Sequence, residues 1–164
     1  MTEPDLAGLG VRMRIFSISL SAVAGLSTLI ALAFAAPREE HFQTRLSPIA
    51  MDLLTRDSVA GVGHATAVLT NDTLTLSGVF EGLPSAVMSA NLHQGIAVGA
   101  RGQLAFKLAV SGSRQGAING SVRLSKNQAA ALRSGRMYVQ LQSEGAPDGH
   151  LWGWLLPVST PADR

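Results

Sequence analysis

The sequence predicts an all-β protein: an antiparallel β-sandwich or Greek-key barrel of about seven or eight strands with one short helix, preceded by an N-terminal hydrophobic helix. Three observations support this fold class. The chain of 164 residues has 15% charged residues and 17 Gly, which suits tight turns between strands better than a helix bundle. Apolar and polar residues alternate over several short stretches, as in half-buried strands. Turn-forming residues separate these stretches at short intervals.

An uncharged apolar run covers residues 15–36 and follows Arg12 and Arg14. A run of about 20 apolar residues can cross a bilayer as a helix. Basic residues before such a run are typical of a signal peptide and also of an uncleaved anchor whose basic end stays in the cytoplasm. Met1 and Met13 are alternative starts, since a chain beginning at Met13 would have a compact signal that opens with Met-Arg.

The end of this run carries a cleavage pattern. Ala33-Phe34-Ala35 has the small-x-small form that signal peptidases cut, and Pro37 stops a helix. Cleavage would leave a mature chain that begins near Ala36, whereas the length of the run favours a retained anchor. Both interpretations place the rest of the chain outside the cytoplasmic membrane, in the periplasm, in the cell envelope or in the medium.

The first half of the β region contains a strand and a hairpin. Residues 41–46 are predicted as the first strand. Residues 63–70 and 73–80 form the hairpin, because Asn71-Asp72 between them can adopt the positive φ of a tight turn. In the second of these strands leucines alternate with hydroxyl residues, which predicts one buried and one solvated face.

The second half contains two further strand pairs. Residues 104–110 alternate in polarity, and residues 115–124 are the expected partner strand. Residues 137–142 and 150–155 alternate in the same way. The segment 145–149, Gly-Ala-Pro-Asp-Gly, is predicted as the turn between them, because Pro presets φ and Gly accepts the left-handed conformation.

One segment between these pairs has the pattern of a helix. Ser125 followed by Gln128 forms a capping box, and the Ala-Ala-Ala-Leu run that follows favours helix. Arg133 suits the negative C-terminal end of a helix, and Gly135 provides its stop.

Three motifs follow one another in an order characteristic of a known domain. Residues 90–93 (ANLH), followed by Gly99 and Gly102, match A-H-I-H…G…G in outline. Residues 135–143 (GRMYVQLQS) look like L-x-x-G-x-L-Y-V-N-V-H-T, and residues 146–155 (APDGHLWGWL) are similar to P-x-G-E-I-R-G-Q-L. Together they resemble the CHRD domain, the module named after chordin, in its bacterial exported type.

The resemblance covers residues 40–157 and implies an all-β extracytoplasmic domain. Bacterial members generally have no assigned enzymatic activity, and the growth-factor binding of chordin is not carried over to this chain. We therefore expect a signal peptide or membrane anchor over residues 1–36, a CHRD-like β domain over residues 37–158 and a flexible tail over residues 159–164. The expected function is that of a non-enzymatic binding or structural module.

Several positions depart from the family pattern. His93 keeps the second histidine of the family's H-x-H. Other polar residues of the family's cluster are replaced, and the positions concerned are Asn91, Gln140, Gln142, His150 and Trp152.

A weak copper or zinc site is one alternative function, since imidazole nitrogen binds both metals. It would use His93 with His150 or His64 and would make the protein a metal-binding or redox-accessory domain. No two histidines stand in an H-x-H or H-E-x-x-H spacing. The competing interpretation is that His93 is a hydrogen-bonded strand residue with Asn91 or Gln142 as its partner. We expect no other cofactor.

Enzymatic chemistry and nucleic-acid binding are not expected. The chain has no Cys and no G-x-S-x-G motif, and its acidic residues fall mostly in predicted turns. The glycines of residues 95–102 lack the lysine of a phosphate-binding loop. The formal net charge of +2 is too small to form a basic stripe for nucleic acid.

An interaction surface is predicted on the last two strands, because Trp and Tyr bury much area at interfaces. The partner would be a protein or a second copy, with membrane contact through residues 15–36 if that run is retained. The alternative is that this face is the second side of a sandwich core. The candidate surface residues are Tyr138, Gln140, Gln142, His150, Trp152 and Trp154.

Overall fold

The computed structural model describes residues 38–48 and 60–158, which hold nine strands and one helix. The predicted signal or anchor segment 1–36, with its cleavage residues Ala33, Ala35 and Ala36, and the predicted tail 159–164 lie outside the described residues. The one described helix is too short to cross a membrane. The elements are β1 (Glu39–Pro48), β2 (Val62–Thr70), β3 (Thr73–Glu81), β4 (Val87–Gly95), β5 (Gly102–Gly112), β6 (Gly116–Arg123), α1 (Lys126–Arg133), β7 (Met137–Ser143), β8 (Ala146–Trp154) and β9 (Leu156–Pro157).

The strands form a closed antiparallel barrel. Their order is β2-β3-β6-β5-β4-β7-β8-β1, and β1 pairs back onto β2, so that eight strands complete a ring. The short β9 extends the β8 side and pairs with β1. Strands β7-β4-β5-β6 lie in the spatial order of a Greek key, because β7 returns beside β4 after the connection through α1. The predicted fold class is confirmed in its barrel form.

Two strands change partners along their length and divide the barrel into two sheets. Gly102–Leu108 of β5 pairs with β4, whereas Ala109–Gly112 pairs with β6. Strand β1 pairs with β2 over Glu39–Leu46, and its Ser47–Pro48 end pairs with β8. Sheet A therefore holds β2, β3, β6 and β9, and sheet B holds β4, β7 and β8. Strands β1 and β5 contribute to both sheets. This exchange turns the chain around the barrel corners.

The barrel interior is filled by the apolar half of each alternating strand. In β3, Leu74 and Leu76 are buried while Thr75 and Ser77 are exposed, as the alternation predicts. In β7, Val139 and the residues two positions to either side also lie in the core, but Tyr138 and Gln140 between them are buried as well, on the outer face. The largest fully buried apolar side chains are Phe42, Leu46, Leu69, Leu74, Leu92, Ile118, Leu132, Met137, Leu141, Leu151 and Leu155.

Helix α1 has the ends that the sequence predicts. The Ser125 backbone N–H donates to the Gln128 side chain at 2.8 Å, and the Gln128 N–H donates to Ser125 Oγ at 3.3 Å. Gly135 takes a φ of 66° after the last turn. Arg133 donates two hydrogen bonds of 2.7 Å to Glu40, which ties the helix to β1.

The alternation of β5 is interrupted by a bulge. Phe106 pairs with Leu92 but Leu104 pairs with His93, so Ala105 has no partner on β4. One extra residue reverses the alternation, so Leu104 and Phe106, which the pattern places on one face, lie on opposite faces of the strand. Leu104 is therefore 49% exposed on the same side as His93 instead of lying in the core.

The predicted turn over residues 145–149 is shorter in the structure. The chain reverses at Glu144-Gly145, and Ala146, the first residue of β8, already pairs with Ser143, the last residue of β7. The second glycine of the segment, Gly149, lies inside the strand with a φ of 136°. Its role is to allow an irregular strand.

Candidate functional site

The outward-facing residues of β4, β7 and β8 lie in two rows. The register places His93 opposite Tyr138 and Tyr138 opposite Trp154. In the next row, Gln140 lies between Asn91 and Trp152. This places Tyr138 and Gln140 across from the two tryptophans, as the alternation of the last two strands suggests.

The rings of these rows form an aromatic stack, defined here as His93, Tyr138, Trp152 and Trp154. The ring centroids of His93 and Tyr138 are 5.0 Å apart with an interplanar angle of 12°. Tyr138 lies 5.3 Å from Trp152 and 5.1 Å from Trp154. These separations are typical of favourable aromatic pairs, so one side chain positions the next.

The stack lies outside the barrel core but is not an open surface. Tyr138 is 1% exposed and Trp152 is 4% exposed, because the glycine-rich loop, residues 95–102, ends on top of them. The Arg101 guanidinium lies 4.9 Å from the centroid of the Trp152 ring, a cation–π distance. The backbone N–H of Gly102 donates to the Tyr138 hydroxyl at 3.1 Å. The aromatic stack therefore supports the loop and fixes the position of its end.

His93 contacts the same loop. Its Nδ1 lies 3.4 Å from the carbonyl oxygen of Gly102, whereas Asn91 donates to Gln142 Oε1 at 3.2 Å. The expected partners of His93, Asn91 and Gln142, thus bond to each other. Burial lowers the pKa of His93, and the bond to Gly102 opposes this in part, so the imidazole is neutral at pH 7.

A bulge in β8 closes the other side of the stack. The Gln140 side chain donates to the Asp148 carbonyl at 2.7 Å, and Gln142 donates to the Pro147 carbonyl at 2.7 Å. These bonds fold the start of β8 over β7. A Cβ on Gly149 would lie 2.5 Å from Trp152 Nε1, so only glycine permits this close approach.

His150 occupies a different environment from the two tryptophans. It is fully buried, with Nδ1 2.6 Å from Ser143 Oγ and Nε2 2.7 Å from the Ala60 carbonyl oxygen. The Ser85 hydroxyl donates to Ser143 at 3.0 Å and extends this chain of polar groups. Burial lowers the pKa of His150, and the bond to Ala60 opposes this in part. His150 therefore links β8 to Ala60, just before β2, and is not part of an exposed binding surface.

The three histidines considered for a metal are on separate strands. His93 lies on β4 and His64 on β2, while both nitrogens of His150 already have protein partners. Within residues 38–48 and 60–158, no group of three or more His, Cys, Asp or Glu side chains is arranged to hold a metal ion. His93 Nε2 is buried and has no hydrogen-bond partner in this part of the chain.

Two residues of this candidate site were missed by reasoning from the sequence. Arg101 is the only cation of a loop otherwise made of small and apolar residues, a signal that could have marked it. Ser143 carries no such signal, because its contact with His150 depends on the register shift between Leu141 and Ser143.

The fold and this face define the class of the protein: a closed antiparallel β-barrel domain with a loop fixed over an aromatic outer face. The chain belongs to the CHRD domain family, whose model matches residues 42–155. No curated protein and no solved structure matched the chain.

Proposed function

We propose that this CHRD-family domain is a non-enzymatic binding module, exported or membrane-tethered, that presents the glycine-rich loop to a protein partner or to a second copy of itself. The observation that carries the proposal is the exposure of apolar side chains on a fixed loop. Ile96 is 83% exposed and Val98 is 57% exposed. Exposed apolar residues grouped in one place mark interaction sites.

The anchoring of the loop supports recognition. A segment fixed before binding loses less conformational entropy when a partner docks. Arg101 and Gly102 hold the end of the loop through the stack. At its other side Val98 approaches Leu156, since a Cβ on Gly135 would lie 3.3 Å from Val98 and 2.9 Å from Leu156. Leu156 is 47% exposed and extends the apolar surface.

Site-specific photocrosslinking tests the proposal in the full chain. A photoreactive amino acid at Ile96 is expected to give a discrete crosslinked product in the producing cells. Met88, which is 60% exposed on β4, is the matched control position and is expected to give none. A product of twice the chain mass indicates a second copy, and any other discrete mass indicates a protein partner. Equal crosslinking from both positions, or none from Ile96, contradicts the proposal.

The proposed export has its own measurement. N-terminal sequencing of the protein recovered from the cell envelope is expected to start near Ala36 after cleavage, or at Met1 or Met13 if the anchor is retained. Recovery of the chain from the cytoplasm alone would contradict export.

A metal-binding function is the second candidate, favoured by one observation. His93 is neutral and its Nε2 has no partner within the described residues, which leaves a nitrogen lone pair for a metal. Calorimetric titration of Cu(II) and Zn(II) into the full chain tests it. Binding tighter than about 1 μM, or about −8 kcal/mol, that disappears in His93→Ala supports this function. Weak binding that is indifferent to the substitution removes it.

A further inference from the structure

A groove runs over β1 on the outside of the barrel, on the opposite side of the tryptophans from the loop. It has a volume of about 660 Å³, within the range of ligand sites. Trp152 and Trp154, which pack against Tyr138 on β7, form its wall on the β8 side. A second hollow of about 700 Å³ shares Arg45 and His64 with this one, so the depression continues across β2.

The side chains of the groove form a regular array. Arg45 pairs with His64 and Gln43 pairs with Thr66 across β1 and β2. Ser47 pairs with Trp152 across β1 and β8. Outward residues alternate along each strand, so guanidinium, amide and hydroxyl groups lie side by side on one surface.

The chemistry of this array favours an oxygen-rich, acidic ligand. Among the described residues that line the β1 groove there is no carboxylate, and Arg45 has no ion-pair partner in this part of the chain. A guanidinium matches the geometry of a carboxylate and can bond both of its oxygens. Ser47 and Gln43 add groups that bond hydroxyls, and the half-buried Trp154 adds an aromatic wall on which the C–H groups of a sugar ring can pack.

The backbone of the groove excludes strand addition. One edge of β1 pairs with β2. The other edge pairs with β9 at Phe42–Gln43 and with β8 at Ser47–Pro48, and Gly153 of β8 packs against residues 44–46 between these pairs. An extended peptide that recognises a sheet through main-chain hydrogen bonds needs a free edge. Recognition here depends on side chains that bind hydroxyl and carboxylate groups.

We propose that the β1 groove binds an acidic saccharide, a chain of sugar rings that carry carboxylates. Arg45 binds a carboxylate, and Gln43, Ser47 and Thr66 bind ring hydroxyls. The site is separate from the glycine-rich loop, so it does not depend on the function proposed for that loop.

Calorimetry on the full chain tests this with two matched probes, oligomers of mannuronate and oligomers of mannose, which differ in the carboxylate. Mannuronate is expected to bind at least tenfold more tightly than mannose. Arg45→Gln is expected to reduce mannuronate affinity at least tenfold, and Thr66→Trp, which fills the groove, is expected to abolish binding. Lys107→Gln, an equal charge change on the outer face of β5, is expected to have no effect.

Three results would overturn the proposal. The first is no mannuronate binding at millimolar concentration. The second is an equal loss in Arg45→Gln and Lys107→Gln, which would indicate attraction to net charge alone. The third is oligoglutamate binding as tight as mannuronate binding, which would indicate an acidic peptide ligand. Circular dichroism of each variant identifies one that has failed to fold, and Ile96→Ser is expected to leave mannuronate binding unchanged.

Discussion

Gly149 shows how strongly one residue can determine the outer face of the barrel. Its φ of 136° is a conformation that other residues rarely adopt, and a Cβ there would lie 2.3 Å from Gln140 Nε2 and 2.5 Å from Trp152. Gly99 also has a positive φ, of 81°, but a Cβ there would meet nothing within 4 Å. A comparison of substitutions at these two positions therefore separates the energetic cost of backbone strain from the cost of steric contact.

Gly149→Ala is expected to destabilise the protein by about 3–5 kcal/mol, because strain and overpacking add. Gly99→Ala is expected to cost about 1–2 kcal/mol from the backbone alone. Urea unfolding of the two variants checks this. Equal costs would show that the contact of Gly149 with the stack does not matter.

His150 makes stability depend on pH. Its pKa is lowered in the folded state, so the unfolded chain binds a proton more readily below the ordinary value of 6.5. The stabilisation is present at pH 7.5 and is lost as the pH falls below about 6.5, by at most about 1.4 kcal/mol per pH unit for this group. His93 acts with the same sign.

The measurement is the free energy of unfolding in urea at pH 7.5 and pH 5.5. His150→Gln is expected to reduce the difference between the two values. Thr75→Ser, which changes an exposed side chain on β3 that does not titrate, is expected to leave it unchanged. A difference that is the same in both variants would contradict the assignment.

At the scale of elements, the glycine-rich loop depends on the strands beneath it. The Tyr138 hydroxyl accepts the N–H of Gly102, and the Tyr138 ring packs between His93 and the tryptophans. The loop therefore gains its order from β4, β7 and β8, which are among the most buried strands of the barrel.

Tyr138→Phe is expected to keep the stack and remove both hydrogen bonds between its hydroxyl and Gly102, the one it accepts at 3.1 Å and the one it donates at 3.5 Å. The shorter bond is worth about 1 kcal/mol. Amide exchange at Gly102 should then become about fivefold faster, since local opening becomes easier. The Leu141 amide, which lies in the core of β7, serves as the internal control. Unchanged exchange at Gly102 would mean that the loop is held by other contacts.

The sequence predicted most elements because their signals are local. The capping box of Ser125 and the Asn71-Asp72 turn require only neighbouring residues, and both are present. The position of Leu104 could not be predicted in this way, because the bulge at Ala105 is set by pairing with β4. The binding role of the outer face and the metal function of His93 remain predictions.

At the scale of the whole molecule, the two sheets share one core. Leu74 of β3 and the core residues of β7 belong to the same buried cluster, and β1 and β5 take part in both sheets. A closed barrel with a single core is expected to unfold as one cooperative unit.

Leu74→Ala is expected to destabilise the whole barrel by about 2–5 kcal/mol, because it leaves a cavity in the core. Tryptophan fluorescence reports on sheet B and circular dichroism on all strands, and the two transitions should shift together. Leu104→Ala, at an exposed position, is expected to cost less than about 0.5 kcal/mol. A fluorescence transition unmoved by Leu74→Ala would show that the sheets unfold independently.

The sequence by itself determined most of the strands, the helix and the family, because alternation, capping and turn chemistry act over a few residues. Only the tertiary structure decided what lies over each strand. Trp152 has the alternation of a surface residue yet is covered by the loop of Arg101, and His150 is enclosed through contacts with Ser143 and Ala60. Alternation fixes which face of a sheet a side chain occupies. Exposure of that face depends on distant segments that pack over it, and no local pattern records them.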